Sequence, residues 1–340
     1  MMPIISERPR MPNWKLMLAT GALMAAGIVQ AATPSPAPST VSAADARQAD
    51  AVTLPFAPPT GVPIRYRHER RSEYGGRVQA MTANELLQFA RAGDGYRLDW
   101  TSDVQSVTAP GPMQAVLTRI YRDLSKATMT INLTAQGHAT GIANLADWRS
   151  RSNQALAAMV SAIDTEFSHL PASARDGVRL MMQGLAEQSD EQFLVSALQT
   201  AQMLFRINNP LRPGVPELTA LESPLTIGEG SIPMLVRSEL TDYQPGKSAR
   251  IVISSAAEPQ ALGKFVRDFT LKLLAAIADP AARAKAEAEI SKLPAPVLSE
   301  EVIQQISLPS GLPDRVEVRK TIAIAGQPPR TETRIFERQP

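Results

Sequence analysis

Apolar and polar residues alternate one for one just after Gly61: Ile64, Tyr66 and His68 lie between Arg65, Arg67 and Glu69. A period of two marks a β-strand, whose successive side chains face opposite sides of a sheet. Gly75-Gly76 supplies a turn, Arg77 to Arg91 forms a second extended run, and Gly93-Asp94-Gly95 leads into Tyr96, Leu98 and Trp100. Extended runs joined by short glycine turns predict an antiparallel meander. Its inward face carries Tyr96, Leu98 and Trp100, and its outward face Arg97 and Asp99.

The same device recurs twice. Gly230-Ser231-Ile232-Pro233 leads into Met234–Tyr243, a Pro245-Gly246 turn and Ala249–Ser254. Gly311-Leu312-Pro313 leads into Val316–Ile324, a turn over Gly326–Pro329 and Thr331–Arg338. With Gly61-Val62-Pro63, these openings suggest one sheet assembled from hairpins.

Between the hairpins the apolar period changes to that of a helix. Pro112 to Ser125 predicts a short helix, followed by a strand over Thr128–Leu133 and a turn at Gln136-Gly137-His138. Trp148, Leu156, Met159, Ile163 and Phe167 fall at helical spacing, as do Val178, Met181, Met182 and Leu185. Ser189 and Gln192 form a capping box ahead of Leu194, Leu198, Ala201 and Phe205. Leu262, Phe265, Val266, Phe269, Leu273 and Ile277 share one stripe of a further helix, and Pro280 stands at the first position of another, from Ala281 to Leu293. Strands, then helices, then strands again give an α+β fold: an antiparallel β-meander or half-barrel with helical insertions at about 145–207 and 259–293, all within one domain over 61–340.

Upstream the pattern is different. Arg8, Arg10 and Lys15 precede Leu16 to Val29, a run without charge, and Val29-Gln30-Ala31 places small residues where a signal peptidase cuts. Residues 1–31 therefore read as an export signal cleaved near Ala31, because the apolar run is shorter than the roughly 20 residues of a spanning helix. The alternative is an inner-membrane anchor through residues 14–32. No cysteine exists to be acylated. Residues 32–60, rich in Pro, Ala, Ser and Thr, read as a disordered spacer.

Composition narrows the function classes. Lys plus Arg number 35 and Asp plus Glu 33; three of the former and one of the latter lie in residues 1–31, so the remainder balances at 32 each. A neutral mature chain gives no electrostatic footprint for nucleic acid, which is not expected as a partner. The absence of cysteine excludes disulfides, thiolate nucleophiles and thiolate-bound metals.

The sequence holds no Gly-x-Ser-x-Gly elbow, no His-Glu-x-x-His, no phosphate loop and no dinucleotide fingerprint. His68, His138 and His169 fall on a strand, a turn and a loop between helices, so no metal site, cofactor or catalytic residue is expected. The carboxylate pairs Asp164 with Glu166 and Asp99 with Asp103 fit a solvated helix end and strand face. Arg65, Arg67, Glu69 and Arg71 share the outward face of the first strand as a ladder suited to an anionic headgroup or to a partner's acidic patch, or simply to a soluble sheet face or a protected edge. Met159, Met181, Met182 and Met203 suit either a core or a pocket for varied apolar ligands.

The order of signal, Pro-rich spacer, Gly-x-Pro strand, long meander with helical insertions and closing strands resembles uncharacterised periplasmic proteins of Gram-negative bacteria. Over residues 61–338 it is similar in element order to half-barrel lipoprotein carriers of the LolA/LolB type. The resemblance implies a curved antiparallel sheet lined by helices around an apolar cavity. The leading expectation is a non-enzymatic periplasmic or secreted binding or carrier protein for a lipid or apolar small molecule. Its ligand would be lined by Tyr66, Leu98 and Trp100 from the sheet and Phe265 and Phe269 from a helix. The alternatives are an envelope interaction or scaffold module that meets another protein through Arg65, Arg67 and Arg71, and a hydrolase with an unrecognised site.

Overall fold

The computed structural model describes residues 50–340 apart from 112, 126, 167, 169–171, 206–209, 226–229, 276–279 and 291–293. The export segment 1–31 and residues 32–49 of the spacer lie outside the described residues.

The first meander forms as the alternation predicts: β1 (Pro63–Tyr74), β2 (Arg77–Ala92) and β3 (Gly95–Thr108) pair antiparallel in sequence. Gly75 and Gly76 have φ of 53° and 77°, the left-handed backbone that a two-residue hairpin turn uses and that side chains resist. After α1 (Met113–Leu124), β4 (Thr128–Leu133) and the short β5 (Ala139–Ile142) extend this half to its edge.

Three helices then follow: α2 (Leu145–Glu166), α3 (Ala172–Ala186) and α4 (Asp190–Phe205). The capping box at the start of α4 is in place. Gln192 N donates to Ser189 Oγ at 3.2 Å, and Ser189 N donates to Gln192 Oε1 at 3.0 Å.

The second meander holds β6 (Glu217–Pro224), β7 (Ser231–Gln244) and β8 (Ser248–Ala257). Next come α5 (Pro259–Leu274) and α6 (Pro280–Ile290), then β9 (Val297–Ser307), β10 (Leu312–Ala323) and β11 (Arg330–Arg338). The two meanders join through their outermost members in sequence, β1 against β11, giving one sheet of 11 strands in the order β5-β4-β3-β2-β1-β11-β10-β9-β8-β7-β6. The edges, β5 and β6, do not pair with each other, so the sheet is open. Its class is α+β, antiparallel throughout the named strands. The structure adds β5, β6 and β9 to the strands expected from sequence, and it places β1 in the middle of the sheet, so the reading of β1 as a protected edge is corrected.

One face of the sheet is packed. Phe89, Leu98, Ile131, Leu240, Val316 and Phe336 lie on it with no exposed surface, and Leu204 and Phe205 of α4 fill the same cluster. At the other end of β7 and β9, α5 covers a second cluster containing Ile232, Met234, Leu262, Val266 and Leu298.

The packed chain starts before Gly61. Val52 and Leu211 exchange backbone hydrogen bonds of 2.9 and 3.0 Å, Ala57 N donates to Ser310 O at 2.9 Å, and Gly61 N donates to Phe89 O at 2.8 Å. Leu54 is buried, and the Phe56 ring meets Phe89, Tyr96 and Phe205 edge-on at 6.1, 5.5 and 5.8 Å. Residues 52–60 are thus a strap across one end of the sheet, and the boundary placed at residue 60 is corrected. Two large apolar side chains in an otherwise Pro- and Ala-rich stretch are enough to seat it, since edge-to-face aromatic pairs add about 0.5–1.5 kcal/mol each beyond burial.

Candidate functional site

Along β1 the inner face runs from apolar to charged: Ile64, Tyr66, His68, Arg70. The strand register carries this gradient across the sheet. His68 stands opposite Phe336, Arg70 opposite Arg334, Lys320 opposite both Glu332 and Glu300. The strap therefore seals the apolar end, and a belt of charge crosses the inner face beyond it.

At the β1–β2–β3 side of this belt is a cavity of about 220 Å³, lined by His68, Arg70, Glu85, Tyr121, Trp148 and Arg334, with Met81, Val104 and Leu124 as its apolar wall. Glu85 is buried and fully engaged. His68 Nδ1 donates to its Oε1 at 2.9 Å, Ser102 Oγ donates to the same oxygen at 3.2 Å, and Trp100 Nε1 donates to Oε2 at 2.8 Å. The imidazole of His68 stacks on Phe336, with centroids 4.0 Å apart, and its buried Nε2 has no hydrogen-bond partner.

The opposite wall is cationic. Directly opposed like charges on neighbouring strands repel, and Arg70 and Arg334 are held there by one shared carboxylate. Glu332 Oε2 accepts from Arg70 Nη2 at 3.0 Å and Oε1 from Arg334 Nε at 2.6 Å. Burial opposes ionisation of Glu332, but the two guanidiniums outweigh it and hold the carboxyl below the usual carboxylate range. Burial likewise opposes the charge of Arg70, and Glu332 with Tyr121 overcomes that and raises its pKa.

Farther along the belt the balance reverses. Burial lowers the pKa of Lys320 to about 8 despite Glu300 and Glu332, and burial also lowers that of Arg330, whose Nη1 has no hydrogen-bond partner.

The structure separates the five residues expected to line a ligand. Tyr66, Leu98 and Trp100 are 1%, 0% and 6% exposed in the main core, where the Tyr66 hydroxyl donates to Pro313 O at 2.7 Å. Phe265 and Phe269 stack on each other at 5.9 Å on α5, and Phe265 packs against the second cluster. Trp100 alone touches the cavity's framework, through Glu85. Met182 and Met203 are buried, Met203 in the main core.

Arg65, Arg67 and Arg71 lie exposed on the outer face as the ladder predicts. Arg67 pairs with Glu69 at 2.8 Å and Arg71 with Glu73 at 2.5 Å. A second concavity, of about 460 Å³, opens on this face between Arg71 and Arg319 over a floor of Thr331, Thr333 and Ile335. His138 is on the turn before β5, His169 lies outside the described residues, and among the described residues no three His, Asp or Glu side chains group as metal ligands.

The residues that sequence reasoning missed are Arg70, Glu85, Lys320, Glu332 and Arg334. The rule that put Arg65 and Arg67 outside also puts His68 and Arg70 inside with Tyr66, so the signal was present in the alternation itself.

The chain matches no protein-family model and no curated protein. Among the described residues no helix is long and apolar enough to cross a membrane.

Proposed function

We propose that the protein is a binding or carrier protein for a small amphipathic ligand, working in the periplasm or outside the cell after loss of its export segment. The observation that carries this reading is the inner-face cavity, whose walls are apolar on one side and charged on the other. An open antiparallel sheet with helices laid on one face supports a half-barrel of the LolA/LolB kind. The solid core around Tyr66, Leu98 and Trp100 moves the site from the sheet centre to the neighbouring space beneath α1 and α2. At about 220 Å³ it is smaller than the roughly 300–1,000 Å³ of drug-sized sites, so it takes a small molecule or one end of a longer chain.

The test is extraction of purified protein for co-purifying lipid together with titration of N-phenylnaphthylamine. Saturable uptake of the probe, displaced by the extracted lipid, is expected. No lipid and no uptake would sink the reading.

A second reading rests on the outer face. Arg65, Arg67 and Arg71 stand exposed along β1 beside the threonine-floored trough, whose rim carries Arg71 and Arg319 together with Glu69 and Glu73, a mixed-charge surface that fits another envelope protein. Charge reversal at Arg65 and Arg67 changes exposed side chains only, so folding should be retained while a pulled-down partner is lost. An unchanged set of partners rejects this reading.

A further inference from the structure

We infer that the inner-face cavity selects ligands with an anionic head, a carboxylate or a phosphate monoester, received by Arg334 and Arg70. This rests on the amphipathic-ligand reading above and specifies the charge of the ligand.

Arg70, Arg330, Arg334 and Lys320 share the belt with Glu300 and Glu332, four cations against two anions. Even with Glu85 included, which is already occupied by three donors, the cations remain in surplus. Unbalanced charge in a partly buried site is costly and is relieved by deprotonation or by a counter-ion. Burial lowers the pKa of Lys320 to about 8, which still leaves it a cation at neutral pH and within that sum.

The cavity is where the second form of relief can operate. Arg334 and Arg70 both line it, and both are steered by the one Glu332 carboxylate, which can neutralise only one of them. Arg334 spends its Nε on Glu332, so its planar fork is oriented before any ligand arrives, the preorganisation that suits guanidinium to oxyanions. On the other wall Met81, Val104 and Leu124 offer a surface for an alkyl chain.

Octanoate, octyl phosphate, octyl glucoside and octyltrimethylammonium, each below its micelle concentration, test this by their effect on tryptophan fluorescence, since Trp148 lines the cavity. The two anions should bind at least about tenfold more tightly than octyl glucoside, and the cation least tightly. Added salt should weaken the anions alone. The ratio of octanoate to octyl phosphate assigns the carboxylate or the phosphate as the natural head. In Arg334→Gln, checked for folding by circular dichroism, the anion advantage should fall to within about twofold while octyl glucoside binds as before. Equal affinities for all heads in the unaltered protein overturn the inference and leave the amphipathic site standing. So does a parallel loss of charged and uncharged ligands in Arg334→Gln. If none of the four binds, both the inference and the reading beneath it fall.

Discussion

Lys320 shows what a single residue costs when the fold places it on the wrong side of a strand. It is 7% exposed, and burial moves its pKa from 10.5 to about 8, with Arg334 and Arg330 adding to the drop and Glu300 and Glu332 countering it. The folded pKa lies below the unfolded one, so between pH 8 and 10.5 the unfolded chain binds more protons and stability rises with pH. Over that window the gain is on the order of 3 kcal/mol at 1.36 kcal/mol per unit. Lys320→Met keeps the length of the side chain and removes the proton. Urea midpoints at pH 7.5 and 10 should therefore diverge between the two proteins, the unaltered one gaining relative to the variant as pH rises. Parallel midpoints would mean that Lys320 does not titrate inside the fold. Tyr66 illustrates the cheaper solution: its hydroxyl is equally deep, but it donates to Pro313 O and needs no counter-charge.

At the scale of elements, legibility followed the purity of the alternation. β1 to β3, β7, β8, β10 and β11 were predicted because glycine turns separate runs of period two, and the helices because their stripes and the Ser189 cap agree. β9 was missed for a physical reason. Leu298, Val302 and Ile306 sit on its inner face, but Glu300 and Gln304 fill the inner positions between them, so its apolar residues recur every four and imitate a helix. β6 is inverted: Leu218 is 66% exposed on an edge strand while Ser223 is fully buried, and an edge has no second neighbour to enforce the pattern. β5, with its Ala139-Thr140-Gly141-Ile142 sequence, is too short to carry a period. The candidate site was hidden by the same kind of inward-facing polar residue that blurred β9. A charge on an inward position reads as an interruption until the partner strand is known, and the pairing of β1 with β11 joins residues from opposite ends of the chain. Nothing local in the sequence announces that seam.

At the scale of the whole molecule, three distant stretches meet at the sealed end of the sheet: the strap before β1, the Leu211 segment before β6 and the turn between β9 and β10. Gly311 sits in that turn with φ of 66°, and a Cβ built on it would fall 1.8 Å from Pro55 O. Gly326, in the next turn, has φ of 80° with nothing within 4 Å. The two glycines share the backbone demand and differ only in the strap above Gly311. Gly326→Ala should cost about 1–2 kcal/mol, the ordinary penalty of a left-handed alanine. Gly311→Ala carries the same penalty and must also push the strap off the turn, which lifts Leu54 and Phe56 from the core. Part of the cost of losing a buried aromatic, about 3–5 kcal/mol for a full truncation, is then added. The expected result is a urea midpoint clearly lower for Gly311→Ala than for Gly326→Ala, accompanied by dye binding to newly exposed apolar surface in the first variant alone. Phe56→Ala supplies the control, because it releases the strap without touching any glycine and should reproduce the dye signal. Equal midpoints for the two glycine variants would mean that the strap does not rest on the β9–β10 turn. The sealed end, and with it the one-sided gradient that leads to the charged cavity, would then have to be redrawn.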